Sequence, residues 1–300
     1  MAEDVATLGA MAPAERSIVG ATARWETARR LLHHRSFQSG ISLFAILVLA
    51  AAFVPIISGA DPTKLSMRTR FVPPGAEFLF GTDNFGRSQL ARVVYGARLS
   101  LMIGTSVVVL NAIFGTLVGA LSGYFHRLDN PMMRFNDALM AFPPVLLAIA
   151  VTAVLGRSTP NVIVALAIVY IPRTARIVRA SVLVIRQMEF VQAAVAAGAG
   201  HWRILRRHIL PNAMAPLIVQ LSFLFAYAVL TEATLSFLGL GAEPPTPTWG
   251  NIMAEGRQYM REAPWIIAIP GGALALAVMS LNLLGDGLRD VLDPRLKIQQ

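Results

Sequence analysis

The chain of 300 residues has no cysteine, which excludes disulfides and thiolate metal sites. Lysine is nearly missing as well: Lys64 and Lys297 are the only two, and neither follows a glycine. A glycine-rich phosphate-binding loop needs such a lysine to reach nucleotide phosphates, so ATP chemistry of that kind is excluded. There is no His-Glu-x-x-His pair, and His33, His34, His126, His201 and His208 show no metal-ligand spacing. No residue is assigned as catalytic, none as a metal ligand, and no cofactor is expected on this chain. Charged residues are also scarce, at 14% against 55% hydrophobic, outside the range of an ordinary soluble domain.

What is present comes in runs. Gly40 to Ser58, Leu99 to Tyr124, Ala141 to Gly156, Val162 to Ile171, Ala213 to Leu230 and Trp265 to Leu284 are apolar stretches. A helix needs about 20 mainly apolar residues to cross the hydrocarbon core. The fourth run reaches that length if it extends to about Val178, with Arg173 and Arg176 snorkelling to the headgroups. Six crossings are the most economical count, which predicts an all-α membrane protein. The first forty residues are not expected to form a cleavable signal, because their charged part is long and the following run reads as a retained helix.

Cations set the expected topology. With the N-terminus inside, seventeen of the twenty-six lysines and arginines fall in cytoplasmic segments. The positive-inside rule then places both termini in the cytoplasm. This bias explains the net charge of +9; no basic patch is interleaved with aromatics in the manner of a nucleic-acid surface. The expected divisions are a cytoplasmic tail at 1–39, a first transmembrane helix at 40–58, an external segment at 59–98, a five-helix core at 99–288 and a cytoplasmic tail at 289–300.

The most distinctive stretch, Glu189 to Pro211, lies between the fourth and fifth runs. An Ala-rich helix over Gln192 to Ala197 is expected to halt at Gly198 and Gly200, since glycine fits a helix terminus better than an interior. A second short helix, about His201 to His208, is expected to stop before Pro211. Small side chains there let a partner surface approach closely, and Arg203, Arg206 and Arg207 suit either the membrane surface or acidic partner residues.

Other features invite structural readings. Gly115, Gly119 and Gly123, four apart, make a flat strip on the second helix for close contact, either with another helix of this chain or with a partner subunit. His126, Arg127 and Asp129 read as a short loop, and Pro143-Pro144 should kink the third helix. In the first external segment Gly81 and Gly86 suit turns, and Asp83 or Asn84 can cap the next helix. In the second, Thr248 can cap a short helix, while Trp249, Tyr259 and Trp265 suit the membrane interface. Glu232 is the one acid inside or beside an apolar run; it needs a partner such as Thr231 or Thr234, or a cavity.

Several of these motifs resemble one family. Gln192-Ala193-Ala194, Gly198 and Leu210-Pro211 fall at the spacing of the cytoplasmic signature of permease subunits in ATP-binding cassette (ABC) importers. Gln192 stands where the pattern has an acid, and His208 where it has isoleucine. Gly81-Thr-Asp-x-x-Gly-Arg87, Gly96-x-Arg-x-Ser-Leu101, the segment from Phe237 to Arg257 and the stretch from Asn282 to Arg295 resemble the C-type permease of the dipeptide and oligopeptide branch. The resemblance covers roughly residues 40 to 295.

It implies a type I importer permease with a cytoplasmic coupling-helix loop in a bacterial inner membrane. Implied partners are a homologous second permease, two ABC ATPases carrying ATP and Mg, an extracytoplasmic solute-binding protein and membrane lipid. Gln192, Ala193, Ala194, Gly198, Arg203, Leu210 and Pro211 are then the residues expected to couple to the ATPases. The competing class is a secondary transporter or channel, whose internal repeats and intramembrane ion ligands are not evident.

Overall fold

Long apolar helices dictate the architecture of the computed structural model, which describes residues 29–292 apart from positions 60 and 244. Of the expected tails at 1–39 and 289–300, residues 1–28 and 293–300 lie outside the described residues. In order come α1 (Arg35–Ser58), α2 (Gln89–Tyr124), α3 (His126–Met140), α4 (Pro144–Leu155), α5 (Thr159–Ile185), α6 (Glu189–Ala196), α7 (His201–Phe237), α8 (Trp249–Gly256) and α9 (Trp265–Leu292). Helices α1, α2, α5, α7 and α9 are long and apolar enough to cross a membrane. The bent pair α3–α4 makes a sixth candidate. Among the described residues there is no strand, only an isolated bridge between Thr82 and Ser88.

The third apolar run differs most from expectation. Residues 126–140 form a helix of 15 residues, where a short loop was expected, and it turns by 93° into α4. The expected proline kink lies at that turn, with Pro143 as the extended residue before α4 and Pro144 at its first position. At 12 residues α4 is about 18 Å long, short of the roughly 30 Å hydrocarbon core. Helix α3 is polar on average and strongly amphipathic, which suits one apolar and one wet or protein-covered face rather than lipid all round.

Three apolar clusters hold the bundle together. Ile103, Val107, Leu166, Tyr170, Leu224 and Ala228 join α2, α5 and α7. Val178, Val182, Val191, Ile204, Leu205 and Ile209 bury the base of the 189–209 segment against α5. Ala51, Val93, Trp249 and Leu274 join α1, α2, α8 and α9. Trp249 is therefore fully buried, its Nε1 donating to the Val93 carbonyl at 3.0 Å, and does not sit at the membrane interface as expected.

The glycine strip of α2 packs within this chain. A Cβ at Gly115 would lie 2.7 Å from the Thr174 side chain, one at Gly119 would strike the Ala175 carbonyl, and one at Gly123 would lie 2.8 Å from Val182. All three face α5. Above it, α2 passes through a π turn at Asn111–Gly115, where buried Asn111 donates to the Val107 carbonyl at 2.9 Å.

An exposed charge is also spent on the backbone. Proline at 55 has no N–H for the carbonyl of Ala51 four residues earlier. Arg98 of α2 supplies the missing donor, its Nε 2.5 Å from that carbonyl and its Nη2 2.8 Å from that of Ala52.

Candidate functional site

The segment between α5 and α7 is built to present a small, exposed face. Helix α6 ends in a paired cap: the N–H of Gly198 donates to Val195 at 2.9 Å, and that of Ala199 to Ala194 at 3.0 Å. Gly198 has φ +76°, a conformation that side-chain-bearing residues adopt only with strain. A Cβ there would meet nothing within 4 Å, so the position is open outward. Ala194, Ala197, Gly198, Ala199, Arg203, Arg207 and His208 line one shallow concavity of about 410 Å³. Two of the expected contact residues, Ala194 and Gly198, share that concavity; Ala193 is exposed beside it.

The rest of the expected set supports this face. Gln192, which replaces an acid, donates from Nε2 to the Arg186 carbonyl at 3.0 Å and so ties α6 to the end of α5. Arg203 is exposed. Leu210 and Pro211 lie in a 3-10 turn at 210–213, and helix α7 continues through them instead of ending there. A π turn at Leu205–Ile209 absorbs the proline: it shifts the hydrogen-bond ladder before Pro211, whose missing N–H therefore leaves the helix unbroken.

Beneath the face the contacts are stiff. Arg186 donates to the Tyr124 carbonyl at 3.0 Å, and Tyr124 Oη pairs with His201 Nδ1 at 3.0 Å. Phe125 stacks edge-on against His201 and Trp202. Trp202 (65% exposed) and Val195 (51%) project outward, apolar groups at the rim of a basic face. Arg179 holds Asp129 of α3 through two bonds of 2.5 and 2.6 Å, and Arg176 holds Asp137 at 2.6 Å.

The opposite end of the bundle carries a buried ionic cluster that the sequence reading missed. Asp83 accepts from the backbone N–H groups of Phe85 and Arg87, so it turns the loop rather than capping α2. Its other oxygen takes Arg87 Nε at 2.6 Å and Arg92 Nη1 at 2.8 Å. Both arginines then reach Glu255 of α8. The cap of α2 is Ser88, which lets the helix begin ten residues before the apolar run. Thr248 caps α8 in a reciprocal box with Asn251, as expected. The signal that was available is an acid and an arginine inside the Gly-Thr-Asp-x-x-Gly-Arg motif, with a second arginine five residues on, beside an apolar span.

Glu232 is fully buried. Ser100 of α2 donates to it at 2.8 Å and Ser236 at 2.7 Å. Thr231 instead pairs with Tyr170, and Thr234 bonds its own helix. The carboxylate faces a neighbouring helix and not an open cavity. Among the described residues no group of three or more His, Asp or Glu is placed to hold a metal ion.

Comparison with known proteins identifies this arrangement. Residues 111–298 match the family described as binding-protein-dependent transport system inner membrane component. Over 273 residues the chain is 56% identical to a Brucella abortus protein provisionally named a peptide transport system permease, covering 91% of this chain and 92% of that one. It is 42% identical over 279 residues to the dipeptide transport system permease protein of Alkalihalophilus pseudofirmus, covering 92% of each. It is 41% identical over 272 residues to the glutathione transport system permease protein of Pectobacterium atrosepticum, covering 90% of each. The chain belongs to the family of binding-protein-dependent inner membrane components and is a multi-pass permease subunit of an ABC importer.

Proposed function

We propose that this subunit forms half of a translocation pathway for short peptides and takes its work from ATP bound to separate ATPase subunits. The observation that carries the coupling assignment is the exposed face of 189–209. It is small enough for close approach at Ala194 and Gly198, and it is fastened to α2, α5 and α7. A partner that moves this face moves three long helices together. Gln192, Ala193, Ala194, Gly198, Arg203, Leu210 and Pro211 are its coupling residues, with Leu210 and Pro211 acting through the turn that leads into α7.

The second half of the pathway is a homologous permease, and a binding protein delivers solute to the outer segments. The names of the related proteins, for peptides, dipeptides and glutathione, support a solute with a peptide backbone. This chain itself is non-catalytic, binds no cofactor and works with both termini in the cytoplasm; ATP and Mg belong to the ATPases. Nucleotide can shift its two conformations only as far as it prefers one over the other.

The test is a reconstituted complex carrying Ala194→Trp or Gly198→Trp. Both block the concavity, but only the second also strains the backbone. We expect each complex to insert normally and to lose coupling between ATP hydrolysis and peptide uptake. Normal uptake by the Ala194→Trp complex would remove this face from the ATPase contact.

A further inference from the structure

Three arginines follow one another along the C-terminal half of α5, at 173, 176 and 179. Two of them are neutralised from α3, Arg176 by Asp137 and Arg179 by Asp129. Arg173 is exposed, and among the described residues no carboxylate pairs with it. Its guanidinium lies over the ring of Tyr227, with Cζ 5.3 Å from the centroid. Tyr227 is itself 46% exposed. Arg173 also lines a cavity of about 390 Å³ with Phe142 and Tyr170. The Tyr170 hydroxyl is committed to Thr231 at 2.7 Å, which leaves Arg173 the free polar group of that wall.

Depth decides what this means. Arg173 is the fifteenth of the 27 residues of α5, about 21 Å from its start at Thr159 and about 18 Å from its end at Ile185. Tyr227, which holds it, is thirteen residues into the run that begins at Met214, roughly 20 Å from that end. A guanidinium fixed at mid-depth cannot face lipid without a large penalty, so this wall meets water or protein. A guanidinium stacked on a ring keeps its N–H edge free, and that edge matches a carboxylate bidentately.

We propose that Arg173, seated on Tyr227, is an anion-recognition point in the wall of the solute pathway, taking the free carboxylate of the transported solute. The inference rests on the importer reading and names a group of the solute which that reading leaves open.

The missing cysteines make the test clean, because Arg173→Cys carries the only thiol of this chain. It would be reconstituted with the second permease, the ATPases and the binding protein, beside an identically treated wild-type complex that accounts for partner thiols. Losing one charged hydrogen-bonding group should lower uptake about tenfold or more. A membrane-impermeant cationic methanethiosulfonate should reach the thiol and restore part of the uptake, while an anionic reagent should not. Solute-loaded binding protein should slow the labelling.

Thiol protected in every nucleotide state, or equal uptake with both adducts, would overturn the proposal and assign the wall to protein contact. Failure of the Cys variant to assemble, with Arg173→Lys assembling but transporting no better than Arg173→Gln, would do the same. Absence of ATP-driven uptake in the wild-type complex would instead sink the importer reading.

Discussion

Arg92, one turn into α2, donates to Asp83 at 2.8 Å while both side chains are almost wholly buried. The pair lies where the first outer segment, α2 and α8 meet, with Arg87 and Glu255 completing the cluster. Removing one member of a buried pair leaves the other charge uncompensated, at about 3–5 kcal/mol. We therefore expect Arg92→Ala and Asp83→Ala each to lower the thermal midpoint in detergent by several degrees. The double variant should lose less than the two losses added, since one interaction is removed twice. Additive losses would show that the two residues act separately.

The α2–α5 contact predicts a contrast between two glycines. Gly119→Leu drives a side chain into the Ala175 carbonyl and Val178, and should cost at least the roughly 1–3 kcal/mol of an overpacked core. Gly272→Ala, in α9, meets nothing within 4 Å and should be neutral or stabilising by about 0.5–1 kcal/mol. Thermal unfolding of the two purified variants measures the difference. Equal stability would mean that the helices do not approach as described.

Glu232 has two serine donors and no acidic companion, which suits a structural tie rather than a proton relay. Glu232→Gln should retain ATP-driven uptake, because the serine hydroxyls can reorient toward an amide. Glu232→Leu should destabilise by about 1–3 kcal/mol by stranding Ser100 and Ser236. The chain alone in liposomes should accumulate no solute under a proton gradient. Gradient-driven uptake that Glu232→Gln abolishes would instead make this a secondary transporter.

The cation bias predicts topology directly. Reporter fusions after Gly59 and after Ala242 should read external, and one after Gly200 cytoplasmic. A cytoplasmic signal near Gly81 would invert the arrangement and place the ionic cluster on the ATPase side.

Much of this was legible because it depends on local chemistry. Apolar runs mark the long helices, Gly198 stops α6, Thr248 starts α8 and Pro143-Pro144 turns the chain. What escaped depends on distant partners. Helix α3 reads as a loop because it is polar on average and holds Pro131, yet its apolar residues share one face and its acids meet arginines of α5. Asp83 has the chemistry of a cap, but its second oxygen is claimed by arginines four and nine residues on. Composition alone does not separate a tryptophan at the membrane interface from one packed between helices, and Trp249 is the second. The early start of α2 follows from Ser88 and from ion pairs, which hydropathy does not register.

The unbroken course of α7 past Pro211 has a mechanical meaning. From His201 to Phe237 the rod is about 55 Å long, so a tilt of about 10° at one end displaces the other by roughly 10 Å. The lever's near end carries the face we propose for the nucleotide-driven partner, and its far end is clamped to α8, where Gly250 lies hard against the Ala233 carbonyl. Leverage of this kind runs both ways. On the proposed reading, a weight placed on the outer segments bears on the inner face as surely as the reverse, so an occupied receptor outside would be felt by the engine within.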